Sequence, residues 1–544
     1  MELVVVLLAL VGAVWGGLIL WRGGTAAGVL LLLLSGICFG MPMAKWQLGP
    51  LPLTTDRLLL PLVAAQYLLW RRFGWTNRTP LTRTEWLMAA LIAVLSLSTF
   101  SADWSRDGYQ PLAWLVLSYL IPATIYGIAR ETRWEGATPK WVLVFVSLFT
   151  VYLAITTIAE QREWWPLVFP RYIAETARES GEWIGRGRGP LLHPIGNGLL
   201  LSIGLAALLC AWPHVGRAGK TAVAGAVLLV LAAVAATLTR SVWLGAAGGL
   251  AVVGALVVPR RARLPLLGGG MLAGALVLGV FWDQVMNYKR ERHLSAAAAA
   301  ESAQLRPILA AIAWEMFLDR PLLGCGYAQY SREHLKYTAN RDGELPLEKG
   351  RGYVAHNVFL SLLTETGLVG LGLFTALLAG WAVQAWRLWH RAAAPLAARQ
   401  MALVFLATLT AYVVNGLFHD VALVAMANEC LFAVAGAMAA ATVAARSGTN
   451  AKRRASADSA DRECAEEVTT VDDAESVNHA ESADQGENAD AGPPQCPGRD
   501  RSATAPRIAA LPEPPPIHLP AARLPGVQLP GAQLPEARDA STSS

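Results

Sequence analysis

As far as about residue 445 the chain reads as a series of apolar runs separated by short polar breaks. Runs such as Glu2–Leu20, Ala26–Gly40, Trp141–Ile158 and Thr221–Leu238 approach the roughly 20 apolar residues with which a helix crosses a hydrocarbon core. The pattern predicts an all-α, polytopic transmembrane helix bundle. Its expected spans, about twelve to thirteen, are 2–20, 25–42, 51–70, 85–100, 111–129, 141–159, 191–212, 220–238, 241–258, 264–282, 357–381, 400–418 and 420–445. The stretch from Thr221 to Val258 is interrupted by one charge, Arg240. At about 1.5 Å per residue it is twice as long as a bilayer core, so it reads as a hairpin with Arg240 at the turn.

Two long polar stretches, 160–190 and 283–356, break the series. In the second, Ser295 through Asp319 reads as a helix. An alanine-rich start is followed by Leu305, Leu309, Ile312 and Met316 at helical spacing, and Arg320-Pro321 ends it. Such an amphipathic helix either lies on the membrane surface or packs on the bundle as a lid, and either position puts Arg306 close to the membrane. From 446 onward the chain changes character. Ser456 to Asp490 is rich in Ala, Glu, Asp and Ser, and a Pro-rich segment closes on the degenerate repeat Leu-Pro-Gly-Val-Gln, Leu-Pro-Gly-Ala-Gln, Leu-Pro-Glu-Ala-Arg. Such composition has too little apolar surface to fold, so 446–544 is expected to be a disordered cytoplasmic tail.

Orientation follows from the basic residues of the short loops. Arg71, Arg72, Arg78 and Arg83, then Arg130, Arg133 and Lys140, then Arg260, Arg261 and Arg263, then Arg387, Arg391 and Arg399 all fall on one side, as does Lys452-Arg453-Arg454. The positive-inside rule makes that side the cytoplasm and leaves the N-terminus and both long loops outside.

Composition agrees with this picture: 54% of residues are hydrophobic and only 16% charged, too apolar for an ordinary soluble chain. The opening Met-Glu-Leu-Val lacks a basic leading region and a clear small-residue cleavage site, so the first run is read as a retained helix. The six cysteines are scattered, with Cys38, Cys210 and Cys430 in apolar spans, Cys464 and Cys496 in the tail and Cys325 in a polar loop. Neither a disulfide framework nor a metal site is suggested. The net charge of +5 is spread over short loops, which gives no stripe for nucleic acid.

Candidate chemistry gathers on the outer side. His356-Asn357 opens a span directly after the long loop and continues through Glu365, Gly367, Gly370 and Gly372. An imidazole at that interface can be hydrated and exchange protons near neutral pH. At 100° per residue Asn357, Ser361 and Thr364 share a face. Glu365 lies about half a turn round from His356 and about 13 Å further along, so it is expected to play a structural part, bonded to Ser361. Arg240 at its outer turn and Arg306 on the loop helix can converge with His356, and their planar forks suit phosphate oxygens. A third cluster, Arg186-Gly187-Arg188-Gly189-Pro190-Leu191-Leu192-His193-Pro194-Ile195-Gly196-Asn197, loosens the start of the next span, where backbone amides can approach an anion.

Taken together, Thr239-Arg240-Ser241-Val242-Trp243-Leu244-Gly245, Arg306 with Trp314 and Asp319-Arg320-Pro321-Leu322-Leu323-Gly324-Cys325-Gly326, and His356-Asn357 with Leu360, Glu365, Gly367 and Gly370 resemble the O-antigen ligase and polymerase superfamily. The resemblance covers about 25–440. It implies a GT-C-like bundle of about twelve helices that moves a glycan from an undecaprenyl-diphosphate carrier to an acceptor on the periplasmic side, without metal or other cofactor. Carried over, His356 matches the family's essential histidine, and Arg240 and Arg306 its essential arginines. Arg186 or Arg188 occupies a further arginine position, and with Asn357 these are the candidate substrate-binding residues. Glu365 and Gly367 are taken as structural. Residues 1–24 look like an added transmembrane helix before a ligase-like domain of 25–445, and the tail is extra as well.

The implied partners are the lipid-linked glycan, a lipid or polysaccharide acceptor and membrane lipid. Polymerisation of the glycan or transfer to protein would use a similar site. A transporter is the reading from another class, but few ionisable groups, chiefly Asp56, Arg57 and Glu365, fall within the spans.

Overall fold

The computed structural model describes residues 2–40, 46–48, 51–101, 110–177, 183–280, 296–339 and 346–447. The expected tail, 446–544, lies almost wholly outside the described residues, as do Cys464, Cys496 and Lys452-Arg453-Arg454. The architecture is all-α apart from one small hairpin. Helix α1 (Glu2–Phe39) is broken at Gly24, where φ is 69° and ψ −161°. This single broken element covers the two expected spans 2–20 and 25–42. Strands β1 (Trp46–Leu48) and β2 (Leu51–Leu53) pair antiparallel and lead into α2 (Thr55–Arg72). Helix α3 (Arg83–Thr99) opens on a reciprocal capping box between Thr82 and Glu85, which satisfies two of the amides a helix start leaves bare.

The bundle continues through α4 (Gln110–Arg130) and α5 (Thr138–Gln161) to α6 (Pro194–Ala211), α7 (Arg217–Ala236) and α8 (Arg240–Val257). The expected hairpin is thus two helices meeting at Thr237–Thr239. Helix α9 (Arg260–Val280), the loop helix α10 (Ala296–Asp319), α11 (Val358–His390), α12 (Leu396–Gly416) and α13 (Ala425–Ser447) follow. Among the described residues, nine helices are long and apolar enough to cross a membrane. The expected spans 51–70, 85–100 and 264–282 form α2, α3 and α9, which fall outside that set. Helix α2 carries Asp56, Arg57, Arg71 and Arg72, and α3 is only 17 residues long, whereas α9 is apolar and uncharged from Leu264 to Val280.

Helix α6 sits in the middle, with most of its residues buried. Helices α5, α7, α8 and α12 pack against it, and residues of α4, α11 and α13 join the same continuous core, in which fully buried Trp381 stacks on Tyr126. Leucines such as Leu62, Leu68, Leu148, Leu228 and Leu244 are exposed, which suits a bundle whose solvent on that surface is lipid. At the short-loop end, buried ions come matched: Arg130 meets Glu85 at 2.9 Å, and Glu131 takes Arg71 at 3.6 Å and the Tyr67 hydroxyl at 2.9 Å.

The loop helix packs on the bundle as a lid. Ile308, Ile312 and Met316 bury against Tyr330, Leu347 and Ala355, while Trp314 and Leu318 stay exposed. After it, residues 321–326 run alongside α11. Cys325 N donates to Thr364 O (2.9 Å), Gly326 N to Glu365 O (2.9 Å) and Leu368 N to Pro321 O (2.8 Å). Those bonds replace helical ones where α11 breaks at Gly367, whose φ is 63°. A side chain at Gly367 would sit 2.3 Å from Leu322 O, so the motif Asp319–Gly326 and the glycine belong to one joint.

Candidate functional site

The site is at the end of the bundle bearing the long loops. Asn357 caps α11, its Oδ1 accepting from Phe359 N at 2.9 Å and Leu360 N at 3.1 Å. Its Nδ2 donates to Leu417 O at the end of α12, 3.0 Å away. With oxygen and nitrogen both committed to backbone, Asn357 pins the start of α11 to the α12–α13 turn and thereby aims its neighbour. His356 has a left-handed backbone, φ 48°, a conformation uncommon for residues other than glycine and held here by its surroundings.

The ring so placed faces a residue that the sequence reading missed. His419 lies in the short turn after α12, its N–H donating to Asn415 O at 2.9 Å. Its ring centroid is 6.4 Å from that of His356, nearly perpendicular, and Tyr353 flanks His356 at the same centroid distance. Next to it, Phe418 carries the Arg306 guanidinium over its ring at 5.4 Å, a cation–π contact. Arg240, the first residue of α8, is the charge felt by Arg306: burial and then Arg240 lower the Arg306 guanidinium.

His419 is held down to about 3, by burial first and then by the positive fields of Arg306, His356, His193 and Arg186. His193 caps α6, its Nδ1 accepting from Gly196 N at 3.2 Å, with Trp183 edge-on at 4.5 Å. Burial and Arg186 lower it to about 4. Chain segments far apart in sequence therefore bring Arg186, Arg240, Arg306, His193, His356 and His419 within one electrostatic neighbourhood.

The two arginines of the first loop separate here. Arg188 is buried, with its Nε 2.8 Å from Glu160 Oε1, while Glu160 Oε2 accepts from the amides of Arg188 and Gly189 at 2.7 Å each. That carboxylate folds the loop onto α5. Gly187, between the arginines, donates to Ala236 O at 2.9 Å, and a side chain there would meet Thr157 at 2.4 Å. The close approach holds the loop between α5 and α7, and the charge of Arg186 acts on the histidines.

Glu365 accepts at its Oε1 from Tyr330 N at 3.2 Å. The expected bond from Ser361 goes elsewhere: Ser361 bonds Asp420, whose carboxyl burial pushes up. The reason is the loop at 321–330, which runs beside α11 and offers Glu365 a backbone amide. Behind the histidines Glu365 and Asp420 share a cavity of about 140 Å³ with Tyr119, Tyr327 and Tyr330. No group of three His, Cys, Asp or Glu side chains arranged for a metal ion occurs among the described residues; the charges collected at the site are those of arginines.

Fold and site define a multi-pass membrane protein with a cation-rich polar site at one end of its helix bundle. Residues 224–375 match the family model for O-antigen ligase. Over that segment the chain is similar to the O-antigen ligases, glycosyltransferase-like membrane proteins of polysaccharide biosynthesis. The matched stretch runs from α7 into α11 and contains Arg240, Arg306 and His356; Arg186, His193 and His419 lie outside it. A comparison with curated proteins gave no match.

Proposed function

We propose that the protein transfers a glycan from an undecaprenyl-diphosphate carrier to an acceptor hydroxyl at the outer face of the cytoplasmic membrane, as an O-antigen ligase-like enzyme. The observation that carries this reading is the gathering of Arg186, Arg240 and Arg306 around His356 and His419. Cations held close together repel one another, and an arrangement that keeps them so is suited to a multiply charged anion.

In the reaction the acceptor oxygen bonds to the anomeric carbon while the bond from that carbon to the diphosphate breaks. The diphosphate leaves with the electron pair. Arg240 and Arg306, joined by Arg186, stabilise the charge growing on it, a role that needs fixed donors rather than a nucleotide or metal. His356 takes the acceptor's proton or positions its hydroxyl. Asn357 acts on His356 through the backbone, and Arg188 with Glu160 holds the loop that carries Arg186. The acceptor is a lipid or polysaccharide, and polymerisation is the neighbouring reaction that the same residues allow.

The test is transfer by purified full-length protein given radiolabelled lipid-linked glycan and candidate acceptors. His356→Ala is expected to reduce transfer by about 10²- to 10⁴-fold while carrier binding stays near wild type. Full activity in His356→Ala would overturn the mechanism, and wild-type protein that leaves the carrier linkage intact would remove the enzymatic reading.

A further inference from the structure

At the opposite end of the bundle a cleft of about 630 Å³ separates the first half of α5 from α1, α6, α12 and α13. Its walls are apolar, with Leu33, Phe149, Leu200, Ile203 and Val434 facing it and exposed Val144 and Leu148 at its edge. Protein interiors are close-packed, so a void of this size between apolar helices calls for an occupant. On the flank of a membrane protein, the apolar filler at hand is a lipid chain.

Polar groups mark where such a lipid would keep its head. Trp134, in the short loop before α5, lines the cleft and is only 8% exposed, and its indole Nε1 has no hydrogen-bond partner among the described residues. The Ser147 hydroxyl, one face further into the cleft, is also buried without one. An indole N–H can only donate, and a buried donor left without an acceptor is costly. Exposed Lys140 stands at the same end, with His214 held to Gln400 at 2.9 Å. The need is for an oxygen acceptor at Trp134, negative charge near Lys140 and a long apolar chain behind both.

We propose that this cleft is a binding site for an anionic glycerophospholipid of the leaflet that faces the short basic loops. One acyl chain fills the cleft, an ester or phosphate oxygen accepts from Trp134 Nε1, and the phosphodiester lies by Lys140. The glycan carrier does not meet these terms. A diphosphate bound at Arg240 and Arg306 keeps its head at the other end of the bundle, whereas the donors here sit among the short loops. The leaflet assignment rests on the positive-inside reading; the chemistry of the site does not, nor does it depend on glycan transfer.

Full-length protein purified in mild detergent, stripped of lipid and titrated with phosphatidylglycerol, is measured by native mass spectrometry. Wild type is expected to retain one phosphatidylglycerol. Trp134→Phe, which keeps the ring and removes the donor, is expected to bind it about two- to tenfold more weakly. Lys140→Gln weakens phosphatidylglycerol more than phosphatidylcholine, and Ala437→Trp, which fills the cleft from α13, abolishes retention. If Ala437→Trp fails to fold, Trp134→Phe decides. Failure of wild type to bind phospholipid, retention of a polyprenyl lipid in its place, or wild-type affinity in Trp134→Phe would each overturn the proposal.

Discussion

Arginines occur at both ends of this bundle, in different company. Near the short loops Arg130 sits against Glu85 at 2.9 Å, and Glu131 takes both Arg71 and a tyrosine hydroxyl. At the other end Arg306 feels Arg240, and His419 feels Arg306, His356, His193 and Arg186. A buried charge matched within the chain belongs to the scaffold, because removing its partner leaves an uncompensated ion in a poor solvent. Positive charges that act on one another at one place favour a ligand of opposite sign there. On the proposed function, the comparison separates residues that hold the structure from residues that would contact the substrate, and Arg188 with Glu160 shows a scaffold pair embedded within the second region.

The largest effect is expected at the matched end. Glu85→Ala strands the Arg130 guanidinium in a buried position and also removes the acceptor of the Tyr126 hydroxyl. Breaking a buried pair costs about 3–5 kcal/mol. Unfolding of the detergent-solubilised variant, followed by thermal shift, should show that loss, with activity per folded molecule unchanged. A variant as stable as wild type would mean that the pair is not the scaffold element described.

Arg306→Ala is expected to do the reverse. Removing a cation that stands beside Arg240 should leave thermal stability unchanged or slightly higher, whereas affinity for the lipid diphosphate falls. A charge-assisted hydrogen bond contributes about 1.5–3 kcal/mol, so binding should weaken by about tenfold to a hundredfold. Destabilisation without a change in affinity would move Arg306 into the scaffold class.

The third expectation concerns pH. His193 and His419 are held at about 4 and about 3, below the ordinary 6.5. Between those values the unfolded chain binds protons that the folded chain refuses, so stability is fully present above about 6.5 and lost as pH falls. A bound diphosphate supplies the missing negative charge and lets the histidines protonate in place. Thermal stability of the empty protein should therefore decline from pH 6.5 to 4.5, and that of the carrier-bound protein should decline less. His419→Gln should flatten the first slope; an unchanged slope would remove His419 from the cluster.

Much of this contrast is legible in the amino-acid sequence, and the rest lies where local sequence stops informing. Arg240 and His356 announce themselves because each begins a long apolar run, and Arg306 because its helix shows a clean apolar spacing ended by Arg320-Pro321. His419 carries no such mark: it sits in a turn of a few residues between two spans, which the bond from Asn357 to Leu417 O helps bring to His356. The helical wheel turned Glu365 from His356 but assumed a regular neighbourhood. The break at Gly367, filled by residues 321–326, supplied partners that no wheel contains.

The finest distinction lies between Arg186 and Arg188, which periodicity could not separate because the loop that carries them is irregular. Their lysine variants keep both charges and so isolate geometry, the smallest effect considered. In Arg188→Lys the ammonium can still face Glu160, but the Nε contact at 2.8 Å and the weaker reach of Nη2 to Ile173 O at 3.4 Å are lost. Stability should drop by about 1 kcal/mol, the net value of an ordinary hydrogen bond, with carrier affinity unchanged. In Arg186→Lys stability should hold, because the charge that acts on His193 and His419 is kept. Carrier affinity should fall a few-fold, since a point charge cannot reproduce a two-pronged contact with phosphate. Thermal shift and carrier titration on the two variants cross if the division is right, each moving one measurement and sparing the other. Should Arg188→Lys lower affinity and Arg186→Lys stability, the two roles would have to be exchanged, and Glu160 would become part of the binding site.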